Sequence, residues 1–267
     1  MSHYNTIVKL YATFILLALN CVATSKNHLR HHSLIRSPSL RVFNGRDIKE
    51  GEYPYVVVIF IRSNNHNSFA RLCTGSMISN NWVITAGHCA YQIETQLFVW
   101  YGNHTVSPLV SNMFREVLEI VLHPSYRSIF DFLEDNDLCL LRVKDINVQS
   151  YGRLSADDYS SFVGLPVTYV GGGDTNSSKG KDLLPLQVGE AAVIPCSSEF
   201  RGFARHLICV THRCSTKVYE SGTGDSGSPL IYDNRIIGVL SYGEKVLDGY
   251  TPVSSYLDWI FKIISPS

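Results

Sequence analysis

From Val42 onward the chain is cut into short apolar runs, each closed by turn-forming Gly, Asn, Asp, Pro or Ser. Tyr55–Ile61, Trp82–Thr85, Leu97–Tyr101, Glu116–Leu122 and Leu138–Val143 form a first series. Pro166–Gly171, Leu186–Ile194, His206–Val210, Pro229–Tyr232 and Ile236–Ser241 form a second. These runs are rich in β-branched and aromatic residues and too short for typical helices, so they predict strands. No long helical segment separates them. That excludes the strand–helix rhythm of a parallel sheet and leaves an all-β barrel or sandwich. One helix is expected at the C-terminus, where Ser254 or Ser255 can cap it and Leu257, Ile260, Phe261 and Ile264 recur at helical spacing. Its only basic residue is Lys262, so the stripe predicts packing on the sheets rather than on a membrane.

The segment before Val42 has a different character. Of the 23 Lys and Arg residues, Lys9, Lys26, Arg30, Arg36 and Arg41 lie there, with no Asp or Glu. The remainder carries 18 basic against 23 acidic residues, a net charge of −5 with His neutral, so nothing suggests a nucleic-acid partner. Lys9 precedes the apolar run Leu10–Ala18, and the small residues Ala23, Thr24 and Ser25 follow. This reads as an export signal over residues 1–23, too short to span a bilayer, and it predicts a secreted, extracellular protein without a membrane partner. Residues 24–41 are polar, basic and His-rich; they read as a solvated leader, with metal binding by His28, His31 and His32 as the alternative. Residues 42–267 then form one domain. Of seven cysteines, Cys73, Cys89, Cys139, Cys196, Cys209 and Cys214 lie beyond the signal. Export permits disulfides among them, and the count alone leaves the pairing open. Two sequons, at Asn103 and Asn176, are candidates for glycosylation.

Three segments carry chemistry. In Gly224-Asp225-Ser226-Gly227-Ser228-Pro229, flanking glycines permit unusual dihedrals around an exposed hydroxyl, although a plain Gly/Ser turn reads the same way. Thr85-Ala86-Gly87-His88-Cys89 sets a histidine at a strand end, a place that structural histidines also occupy. In Asp135-Asn136-Asp137-Leu138 an acid opens an apolar strand, as a solvated turn carboxylate also would.

Together, in the order His, Asp, Ser, these segments resemble the trypsin/chymotrypsin family of serine proteases. Further marks support the resemblance: Gly45 with Pro54-Tyr55, His123-Pro124-Ser125-Tyr126, Ser241-Tyr242-Gly243 and Tyr256-Leu257-Asp258-Trp259-Ile260. The resemblance implies two six-stranded antiparallel barrels, a C-terminal α-helix and an active site between the barrels. It implies Ser226 as nucleophile, His88 as base and Asp137 as the acid that orients the imidazole, with backbone N–H groups of Gly224 and Ser226 as the oxyanion hole. It implies a zymogen cleaved after Arg41, residues 24–41 being the pro-segment, so that the new α-amine of Val42 pairs with Asp225. Arg36 is a competing cleavage site without a family-like start after it. The resemblance also pairs Cys73 with Cys89 and Cys196 with Cys209. Cys139 then behaves as a small buried apolar residue, and Cys214 is left without a family partner.

The substrate pocket departs from the family. Relatives often join the segment before the nucleophile to the loop after Gly243 by a disulfide; here both halves are missing, and that loop is short. The specificity position falls on Glu220, next to Ser221, with Asp248 as a second acid and Ser241, Tyr242 and Gly243 beside the substrate. A carboxylate there favours Arg or Lys at P1 through charge-assisted hydrogen bonds; the alternative is a solvated Glu220. The resemblance calls for no metal and no organic cofactor, and for a monomer. The partners it implies are protein or peptide substrates, an activating protease and protein inhibitors. The competing class is a non-catalytic homologue acting as a regulatory binding protein, which usually lacks a triad residue.

Overall fold

The computed structural model describes residues 45–62, 69–130, 133–172, 185–196, 206–212, 224–243 and 247–265. Its strands are β1 (Arg46–Asp47), β2 (Val56–Arg62), β3 (Phe69–Met77), β4 (Trp82–Thr85), β5 (Leu97–Trp100), β6 (Phe114–Leu122), β7 (Arg127–Phe130), β8 (Leu133–Asp135) and β9 (Cys139–Val143). They continue with β10 (Pro166–Gly171), β11 (Gln187–Ile194), β12 (Ile208–His212), β13 (Pro229–Tyr232), β14 (Arg235–Gly243) and β15 (Leu247–Pro252).

The first barrel closes in the order β2-β3-β4-β9-β6-β5, all antiparallel. Closure suits strands such as β2 and β4, whose residues are apolar and buried along most of their length. Phe60 anchors this interior against Phe69, Phe98 and Phe114, with ring centroids 5.4–5.8 Å apart. The second barrel runs β11-β10-β13-β14-β15-β12 and closes through β12 on β11, with the short β1 added to β11. Its interior holds Phe162, Tyr169, Val193, Val210, Leu230, Leu240 and Tyr250. β14 is the strand of this barrel that lies against β4 and β8, so the two barrels meet along it. The hairpin β7–β8 belongs to neither barrel.

The expected architecture is therefore present, with five strands the sequence pattern did not identify: β1, β3, β7, β8 and β15. The expected C-terminal helix forms as a 3-10 turn, Val253–Tyr256, followed by helix α2 (Leu257–Ile264); the one-turn helix α1 covers Pro108–Ser111. Two details of the expectation are corrected. Ser254 and Ser255 lie inside the 3-10 turn, and Tyr256 occupies the cap position with no side-chain hydrogen bond. Phe261 is 50% exposed, so the inward face is Tyr256, Ile260 and their partly buried neighbours Leu257, Ile263 and Ile264. The core of the first barrel runs on through Ile236, Val239 and Val253 to this helix, binding the C-terminus to both barrels. Among the described residues no helix is long and apolar enough to cross a membrane.

Both expected disulfides are formed, Cys73–Cys89 and Cys196–Cys209, with Cα atoms 6.1 and 5.2 Å apart. Loops of this size give about 3 kcal/mol each in the chain-entropy account. Cys139 is fully buried with a free thiol, whose pKa burial pushes up. Cys214 lies outside the described residues.

Candidate active site

The first barrel supplies two of the three expected catalytic side chains. His88 follows the end of β4, and Asp137 is separated by Leu138 from β9, the strand paired with β4 in the register Thr85↔Cys139. That pairing brings the two residues together. His88 Nδ1 donates to Asp137 Oδ2 at 2.8 Å, and the His88 backbone N–H donates to Oδ1 at 2.9 Å. Asp137 is fully buried, and a third donor reaches it from the second barrel: Ser241 Oγ, 2.6 Å from Oδ2. Three donors compensate the desolvation of the carboxylate and fix its direction. Gly87 makes the approach possible, because a Cβ there would meet the Tyr126 ring at 2.9 Å and Asp137 Oδ1 at 3.1 Å.

The ring of His88 keeps about a quarter of its side chain exposed at the cleft. Burial pulls its pKa down, but the bond and charge of Asp137, with a smaller contribution from Glu134, outweigh this and hold it above the ordinary value.

Ser226 sits on the turn between the masses of the two barrels. Thr74, fully buried in β3, clips that turn to the first barrel: its N–H donates to Ser226 O at 2.8 Å and its hydroxyl to Gly224 O at 2.8 Å. Thr85 Oγ1 in turn donates to Thr74 O at 2.8 Å. Gly227 is pressed onto the same strand ends, with φ +80°; a Cβ there would collide with Thr85 Oγ1 and Thr74 O and stand 3.1 Å from Ala86 N. The turn that carries Ser226 is thus seated on β3 and on the end of β4 that leads to His88. Gly224, with φ +94°, and Ser226 bracket Asp225, and neither of their N–H groups has a backbone partner among the described residues.

Asp225 and Asp248 are both fully buried in the second barrel. Asp225 packs on Gly171, where any Cβ would strike its carboxylate. Asp248 stands in register with Gly243 on β14 and Val210 on β12. Two residues along the same face is Tyr250, whose phenol is held well above its ordinary range by burial, then by the charges of Asp248, Tyr169 and Asp225. Gly249 leaves room for the Tyr242 ring, which a Cβ would strike. Arg41, Val42, Glu220 and Ser221 lie outside the described residues.

Sequence reasoning quoted Thr85, Tyr126, Asn136 and Tyr256 within motifs but gave them no role, and it did not single out Thr74 or Glu134. Tyr256 Oη donates to Asn136 Oδ1 at 3.1 Å, and Asn136 Nδ2 donates to Ser125 O at 3.0 Å, so the residue before Asp137 is held from both sides. The only signal for this pair was the co-occurrence of the segments around His123 and Tyr256, whose rings meet at 5.0 Å. Among the described residues, Cys73, His88 and Cys89 are the one group close enough to hold a metal, and two of these are joined in a disulfide.

A family model described as Trypsin matches residues 42–260. Trypsin 5G1 of Aedes aegypti is 28% identical over 276 residues, covering 96% of this chain and 97% of its own. Putative trypsin-6 of Homo sapiens is 30% identical over 233 residues, covering 82% and 88%; trypsin of Sus scrofa is 27% identical, covering 84% and 96%. Among solved structures, HL collagenase superposes with a TM-score of 0.67 at 22% identity, over 85% of this chain and 100% of that one, a likeness of fold.

Proposed function

The chain belongs to the trypsin family of serine proteases, and from that premise we propose that it is a secreted serine endopeptidase, made as a zymogen and active after cleavage behind Arg41. The observation that carries this reading is the buried Asp137 bonded to His88 at 2.8 Å beside a nucleophile turn stitched to the same strand ends.

In the established Ser-His-Asp mechanism, Ser226 attacks the scissile carbonyl, His88 takes the proton and returns it to the leaving amine, and Asp137 fixes the tautomer and stabilises the imidazolium. The N–H groups of Gly224 and Ser226 receive the oxyanion, where one lost donor costs about 3 kcal/mol. The Val42 α-amine pairs with Asp225 and orders that loop; breaking such a buried pair costs about 3–5 kcal/mol.

Substrate lies along Ser241, Tyr242 and Gly243. Arg or Lys at P1 is directed into the second barrel, where Asp248, in register with Gly243, supports a basic preference and Glu220 and Ser221 complete the pocket. Trypsin-family proteases act on proteins and are blocked by protein inhibitors, and we assign those partners and an activating protease to this chain, as a monomer without metal or cofactor. Asn103 is exposed in its sequon, with Thr105 Oγ1 bonded to Asn103 Oδ1 at 2.7 Å, which supports glycosylation there; Asn176 lies outside the described residues.

The test is to cleave the purified chain after Arg41, label it with a serine-directed fluorophosphonate and profile a mixed peptide library, with Ser226→Ala as control. Labelling with cleavage after Arg and Lys is expected. Cleavage after other residues would overturn the pocket alone. No labelling and no cleavage by correctly processed protein would favour the non-catalytic homologue.

A further inference from the structure

The chain leaves β6 at Leu122 through the turn His123-Pro124-Ser125-Tyr126. Backbone bonds tie this turn to the residues around Asp137: the His123 N–H donates to Leu138 O at 3.0 Å, and the Tyr126 N–H to His123 O at 2.9 Å. The His123 side chain closes the turn. Its Nδ1 accepts the Ser125 N–H at 3.3 Å, so that nitrogen carries no proton and the ring N–H lies on Nε2. The ring stands edge-on to Tyr256 and Trp259, each centroid 5.0 Å away. These contacts form a circuit. Ser125 O accepts Asn136 Nδ2 at 3.0 Å, Asn136 Oδ1 accepts Tyr256 Oη at 3.1 Å, and the Tyr256 ring returns to His123. Asn136 is the residue before Asp137, and His123 is the member of the circuit that titrates near neutrality.

Its surroundings favour the neutral ring. Burial lowers the His123 pKa, and the charge of Asp135, itself bonded to Arg127 at 2.7 Å, opposes this without prevailing. From the helix side His123 meets the rings of Tyr256 and Trp259; α2 carries Asp258 and Lys262 as its charges, and His206 stands against Tyr256 with centroids 6.0 Å apart. On the β9 side the register sets the buried Cys139 thiol opposite Leu122. A proton on Nδ1 turns an acceptor into a donor facing the Ser125 N–H, and the two groups must part. Because the folded chain binds this proton more weakly than the unfolded one, the closed turn is stable above about pH 6.5 and is lost as pH falls below it.

We propose that His123 is a positioning residue that makes the triad acid-sensitive: neutral, it closes the turn that holds Asn136 and through it Asp137, and protonated, it releases them. The proposal rests on the endopeptidase reading above. His88 stops acting as base when it takes a proton; His123 adds a second proton to the same shutdown at lower pH. Turnover then falls more steeply in acid than a single ionisation allows.

The test is the pH profile of kcat, from about pH 4.5 to 8, in the full chain cleaved after Arg41. Wild type should follow one ionisation down to about pH 6 and then steepen, losing about a further tenfold. Asn offers an amide oxygen in place of Nδ1 and does not titrate. His123→Asn should therefore keep the plateau kcat within about twofold and follow a single ionisation throughout. Phe keeps a ring and removes the acceptor, so His123→Phe should show the released state at every pH, with plateau kcat down about tenfold and KM unchanged. Backbone NMR reads the same turn without turnover: the Ser125 and Asn136 amides should titrate with His123 in wild type and stay still in His123→Asn. A wild-type profile with one ionisation, a His123→Asn profile as steep as wild type, or amides that do not move overturns the assignment and leaves the protease reading intact. So does His123→Phe with the wild-type plateau, since the ring then only packs. If either variant fails to fold, the steepening and the amide titration of wild type decide. Wild type that neither labels with fluorophosphonate nor cleaves any peptide overturns the endopeptidase reading and this assignment together.

Discussion

The two barrels share a strand count and differ in what they bury. The first buries Asp137 at its rim, where three donors from His88 and Ser241 meet the carboxylate, and the Cys73–Cys89 disulfide ties the His88 segment to β3. The second buries Asp248 on β15 and packs the buried Asp225 against Gly171 of β10, and the charges of both act on Tyr250. Taking a carboxylate out of water costs several kcal/mol before partners are counted. In the proposed function these two acids lie where the new α-amine and the basic P1 residue are received. Under the proposed function, the first barrel is a frame for proton transfer and the second a receptor. The difference predicts that lesions in the first act on kcat and lesions in the second on substrate choice.

The largest expected effect cuts across the comparison. With Ser226 as the proposed nucleophile, Ser226→Ala should lower kcat by about 10⁵–10⁶ and leave melting behaviour unchanged. Retained turnover in a peptide assay would reject the nucleophile. Next is the seam between the barrels. Gly227→Ala forces a methyl into Thr85 Oγ1 and Thr74 O at φ +80°. Strain of about 3 kcal/mol or more should lower Tm by roughly 6–12 °C, and calorimetry that finds less would mean the nucleophile turn is not seated as tightly on the first barrel as the contacts require.

The receptor half is tested by Asp248→Asn. Losing the carboxylate should cut the preference for Arg or Lys over Leu at P1 by about 100-fold in kcat/KM, through KM more than kcat. An unchanged P1 profile would assign the basic preference to Glu220 and make Asp248 a structural acid. A fall in kcat with selectivity intact would break the division between frame and receptor.

These contrasts also explain what the sequence allowed a reader to see. Strands such as Trp82–Thr85 and Pro166–Gly171 were legible to the residue, because unbroken β-branched and aromatic runs between turns have one physical reading. β3 was hidden by Arg71 and Gly75, the latter required because Val83 Cγ1 lies 2.7 Å from where its Cβ would be. β15, Leu-Asp-Gly-Tyr-Thr-Pro, reads locally as a turn; only tertiary structure, burying Asp248 and seating the Tyr242 ring over Gly249, makes it a strand. The catalytic candidates were legible as motifs because each is carried by its immediate neighbours. Glu134 and Tyr256 were not, because their meaning lies in what they approach across the fold: Tyr256 meets Asn136 over a separation of 120 residues.

That distant contact gives the smallest effect and the finest test of the frame. Asn136 sits at φ +54°, a conformation asparagine tolerates better than most residues, and Tyr256 and Ser125 hold its amide from both ends. If the C-terminal helix thereby positions Asp137, the consequence should be visible in the titration of His88. The imidazole must be neutral to act as base, so kcat/KM is lost as pH falls through its pKa. Burial lowers that pKa and Asp137 more than restores it, which places the acid limb of the wild-type profile above the ordinary 6.5. Tyr256→Phe removes one hydrogen bond, worth about 1 kcal/mol, and should lower Tm by only about 2–4 °C. With Asp137 less well held, the acid limb should move down toward 6.5 and kcat should fall about three- to tenfold with KM unchanged. A variant that loses those few degrees but keeps its limb and its kcat would show the tyrosine to be a strut of the fold, and the geometry of the first barrel would then be fixed by the strand register of β4 and β9 alone.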